Sequence, residues 1–187
     1  MNSGPDDLLL IPFAPDQIMS RLKILVERRK PFVVTHDYIG PDRRTAPRPG
    51  TTSATQFQVP NPARAQALSL PQGHYDIQKN DAIKVIAVER IKCLSSAIDW
   101  ECKALTANIQ DDSATKETSF RSLIKLENVA EELSKRVGSV LGHATDGIDG
   151  FRARCAEFKN RPGNLTFSEV DSLAQAGHKI TSTYTSR

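Results

Sequence analysis

The chain has 187 residues, with 25 Lys and Arg against 22 Asp and Glu, for a formal charge of +3. That length suits one or two domains, and 39% apolar with 6% aromatic residues is lean for a single dense core. So small a net charge does not by itself point to nucleic acid, and three cysteines without Cys-x-x-Cys spacing indicate neither a disulfide framework nor a zinc site.

The N-terminal residues Met1–Asp7 lack a basic n-region, and the apolar run Leu8–Phe13 is too short for a signal sequence or a membrane span. A cytoplasmic protein is expected. Leu8–Ile11 has the composition of a short buried strand, but with no sheet to join it would expose an unpaired edge. Pro15 suits the first turn of a helix. Ile18, Met19, Leu22, Leu25 and Val26 then recur at helical spacing, Arg28-Arg29-Lys30 complements the helix dipole, and Pro31 ends the element. Phe32–Thr35 reads as a short extended segment, and Gly40-Pro41-Asp42 as a turn. Between Arg21 and Arg48, eight bases face three acids, a local excess of five positive charges.

Thr45–Gly73 is rich in Pro, Thr, Ser and Gln and reads as a mostly irregular linker. Within it, Pro62–Leu68 is expected to form a short helix capped by Asn61. Asp76–Gln110 contains no Pro or Gly. Ile83, Ala87, Ile91, Leu94, Ile98, Cys102, Leu105 and Ile109 form one helical stripe, with Trp100 off it as a second contact face. Asp111-Asp112-Ser113 is the expected turn. Phe120, Ile124, Ala130, Leu133, Val137, Leu141, Ala144, Ile148, Phe151, Cys155 and Phe158 then nearly keep phase, which predicts one continuous helix to about Asn160, while Gly138, Gly142, Gly147 and Gly150 leave a bend or break near Gly142–Gly150 as the alternative. Arg161-Pro162-Gly163-Asn164 ends it. Thr166 and Glu169 form a capping box with Leu165 and Val170 as staple, opening a final helix with Val170, Leu173, Ala174, Gly177 and Ile180 on its stripe. Thr181–Arg187 is expected to fray. The predicted fold is mainly α: a short helix, an irregular linker, then a long antiparallel hairpin with a third, shorter helix.

Phe32-Val33-Val34-Thr35-His36-Asp37-Tyr38-Ile39-Gly40-Pro41-Asp42-Arg43-Arg44 resembles the segment that follows the receiver domain in some bacterial response regulators. Leu8–Ile18, with Pro12-Phe13, resembles the receiver end that precedes it. The resemblance spans about Asp7–Arg44, under a quarter of the chain. Ile11 stands where the family has Lys, and the phosphoacceptor region has no counterpart, so phosphoryl acceptance is not carried over. The resemblance implies a two-component signalling protein: a truncated receiver end (1–30), a motif and linker (31–73) and a helical module (74–187), or the product of an internal start or broken gene. Tyr38, Asp42, Arg43 and Arg44 are the expected contacts to a partner or a phosphate.

No enzyme activity, cofactor or metal is expected. His36, His74, His143 and His178 are scattered, no phosphate loop or nucleophile elbow occurs, and Cys93 and Cys102 read as packing residues. Glu127, Glu131 and Glu132 read as a solvated helix face, with Glu131 and Lys135 as an i,i+4 pair. The alternative is a phosphotransfer-like bundle using His143, since phosphotransfer domains often carry His-x-x-Lys-Gly. Here His143 precedes Asp146-Gly147, and Asp146 would repel a phosphoryl group where Lys would hold it. A protein partner or self-association is expected; nucleic acid and membrane are not.

Overall fold

A computed structural model describes residues 2–44, 55–110 and 116–185. The elements in chain order are β1 (Asn2–Ser3), α1 (Pro15–Arg28), β2 (Phe32–Val34), β3 (Tyr38–Pro41), β4 (Gln56–Phe57), α2 (Pro62–Ala67), α3 (Gln72–Gln110), α4 (Lys116–Arg136), α5 (Asp146–Lys159) and α6 (Phe167–Thr185). The chain is mainly helical, as its periodicity predicts. It divides into two units, Met1–Ile86 and Ala87–Arg187, with the division inside α3. This is not the partition at residues 30 and 73: β4 pairs with β2, and the Asn61 side chain donates to the carbonyls of Leu25 and Val26 at the end of α1, so the expected linker is tied into the first unit.

In the first unit a small sheet has the order β1-β3-β2-β4, with β1 parallel to β3 and the other pairs antiparallel. Phe32 faces Pro41 and Val34 faces Ile39. The turn therefore lies at Thr35–Asp37, ahead of Gly40-Pro41-Asp42, whose Gly and Pro belong to β3. Thr35 sets it: its N–H donates to the Tyr38 carbonyl at 2.8 Å and its hydroxyl accepts from the Tyr38 N–H at 3.0 Å. Pro41 tolerates its strand position because it sits at the strand's end. Leu8–Ile11 forms no strand, and Leu8, Leu10 and Ile11 are exposed. The Pro62 helix and its Asn61 cap are as predicted, with the Asn61 side chain accepting the Arg64 N–H at 3.1 Å.

The second unit is a four-helix bundle, not a hairpin with one added helix. The helix expected to run to Asn160 breaks. After Arg136 the backbone widens into a π-helical turn, Val137–Leu141, and Gly142 takes φ +64°, a left-handed conformation that glycine adopts without a Cβ penalty. α5 then folds back on α4. The Asp149 carboxylate accepts from Ser134 of α4 at 2.8 Å and from Thr145 at 2.7 Å, which fixes the new helix start. Arg90 on α3 pairs with Glu132 on α4, and Lys125 on α4 with Glu101 on α3, so these helices are antiparallel. α6 closes the bundle: the Thr181 hydroxyl donates to the Ser95 carbonyl of α3 at 2.6 Å, and Arg154 of α5 donates to Ser172. The order is up-down-up-down.

The core collects Ile91, Leu94, Ile98, Cys102 and Leu105 with Leu123, Leu126, Ala130, Leu133, Phe151, Cys155, Val170 and Leu173. On α4 the buried phase is Ser119, Leu123, Leu126, Ala130 and Leu133, so the expected stripe is displaced at its start: Phe120 is on the surface. Ile83 is also outside, 56% exposed, and the buried stripe of α3 begins at Arg90 and Ile91. Trp100 is exposed, off the stripe as predicted. The Thr166–Glu169 capping box forms, with the Glu169 side chain accepting the Thr166 N–H at 2.9 Å. α6 continues to Thr185, with Ile180 and Tyr184 buried, so the expected fraying is not seen over Thr181–Thr185; the last two residues lie outside the described residues. The Asp111-Asp112-Ser113 turn lies outside the described residues.

Candidate functional site

The segment that resembles a response-regulator linker folds as the β2–β3 hairpin, and most of its polar side chains are used within it. The Tyr38 hydroxyl donates to the Pro41 carbonyl at 2.9 Å. That fold of the ring leaves room only for glycine at position 40, where a Cβ would lie 2.6 Å from the Tyr38 hydroxyl. Arg43 stacks over the Tyr38 ring, 5.9 Å from its centroid, and donates to the Pro5 carbonyl at 3.3 Å. The Asp42 carboxylate accepts the Arg44 N–H at 3.0 Å and the Gln56 amide at 2.9 Å. The Arg44 N–H chiefly, with Gln56 and the Arg44 and Lys30 charges, holds the Asp42 carboxyl below its ordinary pKa. Of the four residues singled out from the sequence, Tyr38, Asp42 and Arg43 brace the hairpin. Arg44 is exposed and forms no ion pair among the described residues.

Asp42 also links the hairpin to a groove that no motif signalled. Gln56, Phe57, Gln58, Val59 and Pro60 form one wall, and Gln78, Asp81, Ala82 and Val85 of α3 the other, around an open volume of about 580 Å³. Phe57, Val59, Ala82 and Val85 supply apolar surface, and the glutamines and Asp81 supply hydrogen-bonding groups. Apolar and hydrogen-bonding groups thus stand side by side along a groove that is open to solvent. The first wall is held by the Gln56–Phe57 pairing with β2, by the Asp42–Gln56 bond and by Arg29 donating to the Pro60 carbonyl at 2.9 Å.

His143 lies in the exposed loop between Gly142 and Thr145, at one end of the bundle and off every helix face. Asp146 is the first residue of α5. Among the described residues, no three His, Cys, Asp or Glu side chains converge on a metal-sized site, and no helix is long and apolar enough to cross a membrane. No family model, curated protein or solved structure matches this chain.

The bundle's charged groups staple helices. Arg90 is 2% exposed and donates three hydrogen bonds to Glu132, which also accepts from Arg136. Glu127 binds Lys159 of α5. Of the three glutamates expected on a solvated face, only Glu131 stays on its own helix, paired with Lys135. Burial pushes the thiols of Cys102 and Cys155 up to about 12, and raises that of half-buried Cys93, so all three read as packing residues.

Proposed function

We propose that this protein is a non-enzymatic component of a two-component phosphorelay, related to response regulators, that binds a protein partner or a second copy of itself. The reading rests on the resemblance of Phe32–Arg44 for the pathway and on the geometry for the role. The observation that carries it is the use made of the motif. Tyr38, Asp42 and Arg43 are spent on shaping a hairpin, and that hairpin holds one wall of a groove through the Asp42–Gln56 bond. Such an arrangement presents a surface. The bundle supports the same role, because Arg90 with Glu132, Lys125 with Glu101 and Lys159 with Glu127 are engaged in holding one helix to another. Phosphotransfer through His143 gains no support from a loop position outside the helices, beside Asp146.

A photo-crosslinking residue at Val85 in the groove, with one at exposed Ser182 as control, tests this in the native cell. The expected product is a Val85-specific adduct to a histidine kinase, a receiver-bearing protein or a second copy of the chain. Adducts only to unrelated proteins overturn the reading. So does a phosphoryl label on His143, delivered by a phosphodonor kinase and lost in His143→Ala.

A further inference from the structure

In the first unit, Val33 and Val34 are the buried hydrophobic side chains among the described residues. Ile18, Leu25, Phe32, Ile39 and Phe57 are half-buried, and several other large apolar residues stand outside. Leu10 and Ile11 are each 87% exposed, Leu8 is 69% exposed, and all three sit in the segment Leu8–Phe13, which has no helix or strand. The segment runs into α1, where Met19 and Leu22 are exposed as well. Leu8 and Leu9 lie beside Ile18, Leu22 and Leu25, so the segment and the helix form one apolar ledge.

Basic residues border the apolar arc of α1 on both sides, while Asp7 lies in the ledge itself beside Leu8 and is neutralised by Arg21. At 100° per residue, Ile18, Met19, Leu22, Leu25 and Val26 share one arc of α1. Lys23 borders the arc on one side, and Arg21 and Arg28 on the other. Asp16 and Glu27 lie beyond Lys23, on the polar side. Arg21 is paired with Asp7, and Arg29 with Asp6. Lys23, Arg28 and Lys30 are exposed and form no ion pair among the described residues.

We propose that this ledge docks the protein on an anionic lipid surface. Leu10 and Ile11 enter the boundary between headgroups and acyl chains, and Lys23, Arg28 and Lys30 meet lipid phosphates. This goes beyond the protein-binding role and departs from the expectation that no membrane takes part. A second copy is a poorer occupant, because a two-fold interface sets a patch against itself and brings the same cations together. A rigid acidic protein is also poorer: consecutive protruding side chains need a matching cavity, whereas a fluid bilayer requires none.

Co-sedimentation of the full chain with vesicles of phosphatidylcholine, with and without phosphatidylglycerol, tests the proposal. Binding is expected only with phosphatidylglycerol, and is expected to fall as salt rises. Leu10→Asp with Ile11→Asp should weaken it about tenfold or more, and Lys23→Glu with Arg28→Glu by a similar factor. These side chains are exposed, and unchanged far-UV circular dichroism will show that the variants remain folded. The proposal is overturned by equal binding to both vesicles, by binding that survives the Leu10/Ile11 change, or by no sedimentation. It is also overturned if the wild-type mass in solution is that of a dimer and the Leu10/Ile11 change makes it monomeric, or if a soluble acidic protein is bound while vesicles are ignored. None of these outcomes decides the crosslinking experiment at Val85.

Discussion

Gly177 of α6 lies against α3 and α5 with no room for a side chain, and the contact sets two opposing effects against each other. A Cβ built there would lie 2.9 Å from Cys102 Sγ, 3.1 Å from Ile98 Cγ2 and 3.4 Å from Phe151 Cε2. Replacing a helix-interior glycine by alanine stabilises by about 1 kcal/mol when space is open. Forcing a methyl into a filled core costs about 1–3 kcal/mol. The three neighbours are 2%, 0% and 2% exposed and come from two different helices, so none has room to retreat. Gly177→Ala should therefore destabilise by about 1 kcal/mol net. Gly150→Ala is the control. Gly150 is an exposed residue of α5, its Cβ would meet nothing within 4 Å, and the change should stabilise by about 1 kcal/mol. Urea unfolding followed by circular dichroism, with the slope unchanged, should move the two midpoints in opposite directions. Adding Cys102→Ala to Gly177→Ala removes the nearest atom and should reveal a coupling of about 0.5 kcal/mol or more. A Gly177→Ala midpoint raised as far as that of Gly150→Ala would refute the close approach.

Glu132→Ala removes three hydrogen bonds from a buried guanidinium and should cost about 2–3 kcal/mol in the same urea assay. Glu169 is held down at about 2, first by Arg161 and then by Thr166 of its own capping box. Because the folded value lies below the ordinary 4.5, its contribution is present above that pH and is lost as pH falls toward 2. The stability difference between wild type and Glu169→Gln should shrink across that window, and an NMR titration should place the carboxyl near 2. Cys102 and Cys155 should resist alkylation near neutral pH until the bundle unfolds, as read by intact mass with and without denaturant. Tyr38→Phe should cost about 1 kcal/mol by loss of its bond to Pro41, whereas Arg44→Ala should leave the urea midpoint unchanged.

Local chemistry made part of this structure readable in advance. Asn61 before Pro62, and Thr166 three residues before Glu169, each place a helix start through one side-chain bond, and both starts are where those bonds require. The long stripe of α3 was equally plain from Ile91 onward, since nothing interrupts its spacing. The glycines signalled a break near Gly142, but Leu141, Ile148, Phe151 and Cys155 keep nearly the right phase across it and favoured continuity. Periodicity alone cannot distinguish a helix that continues from one that doubles back. Phe120 misled for a related reason: size favoured it over Ser119, yet close packing of α4 placed the small residue inside. The hairpin turn was drawn to Gly40-Pro41, although Thr35 had a local bond to offer and Gly40 was needed beneath the Tyr38 ring. The groove left no trace in composition, because its walls are placed by strand pairing and by bonds between residues far apart in the chain, such as Arg29 to Pro60 and Gln56 to Asp42.

The bond from Thr181 to Ser95 joins the first and last helices of the bundle. During synthesis, Ile98 and Cys102 leave the ribosome well before Leu173 and Gly177 exist to cover them. At about 5–20 residues per second, an incomplete bundle of three helices would stand open for about 1–5 seconds on every nascent chain. That interval gives chaperones an opening, and slowing translation between α5 and α6 should raise the share of chains lost to aggregation.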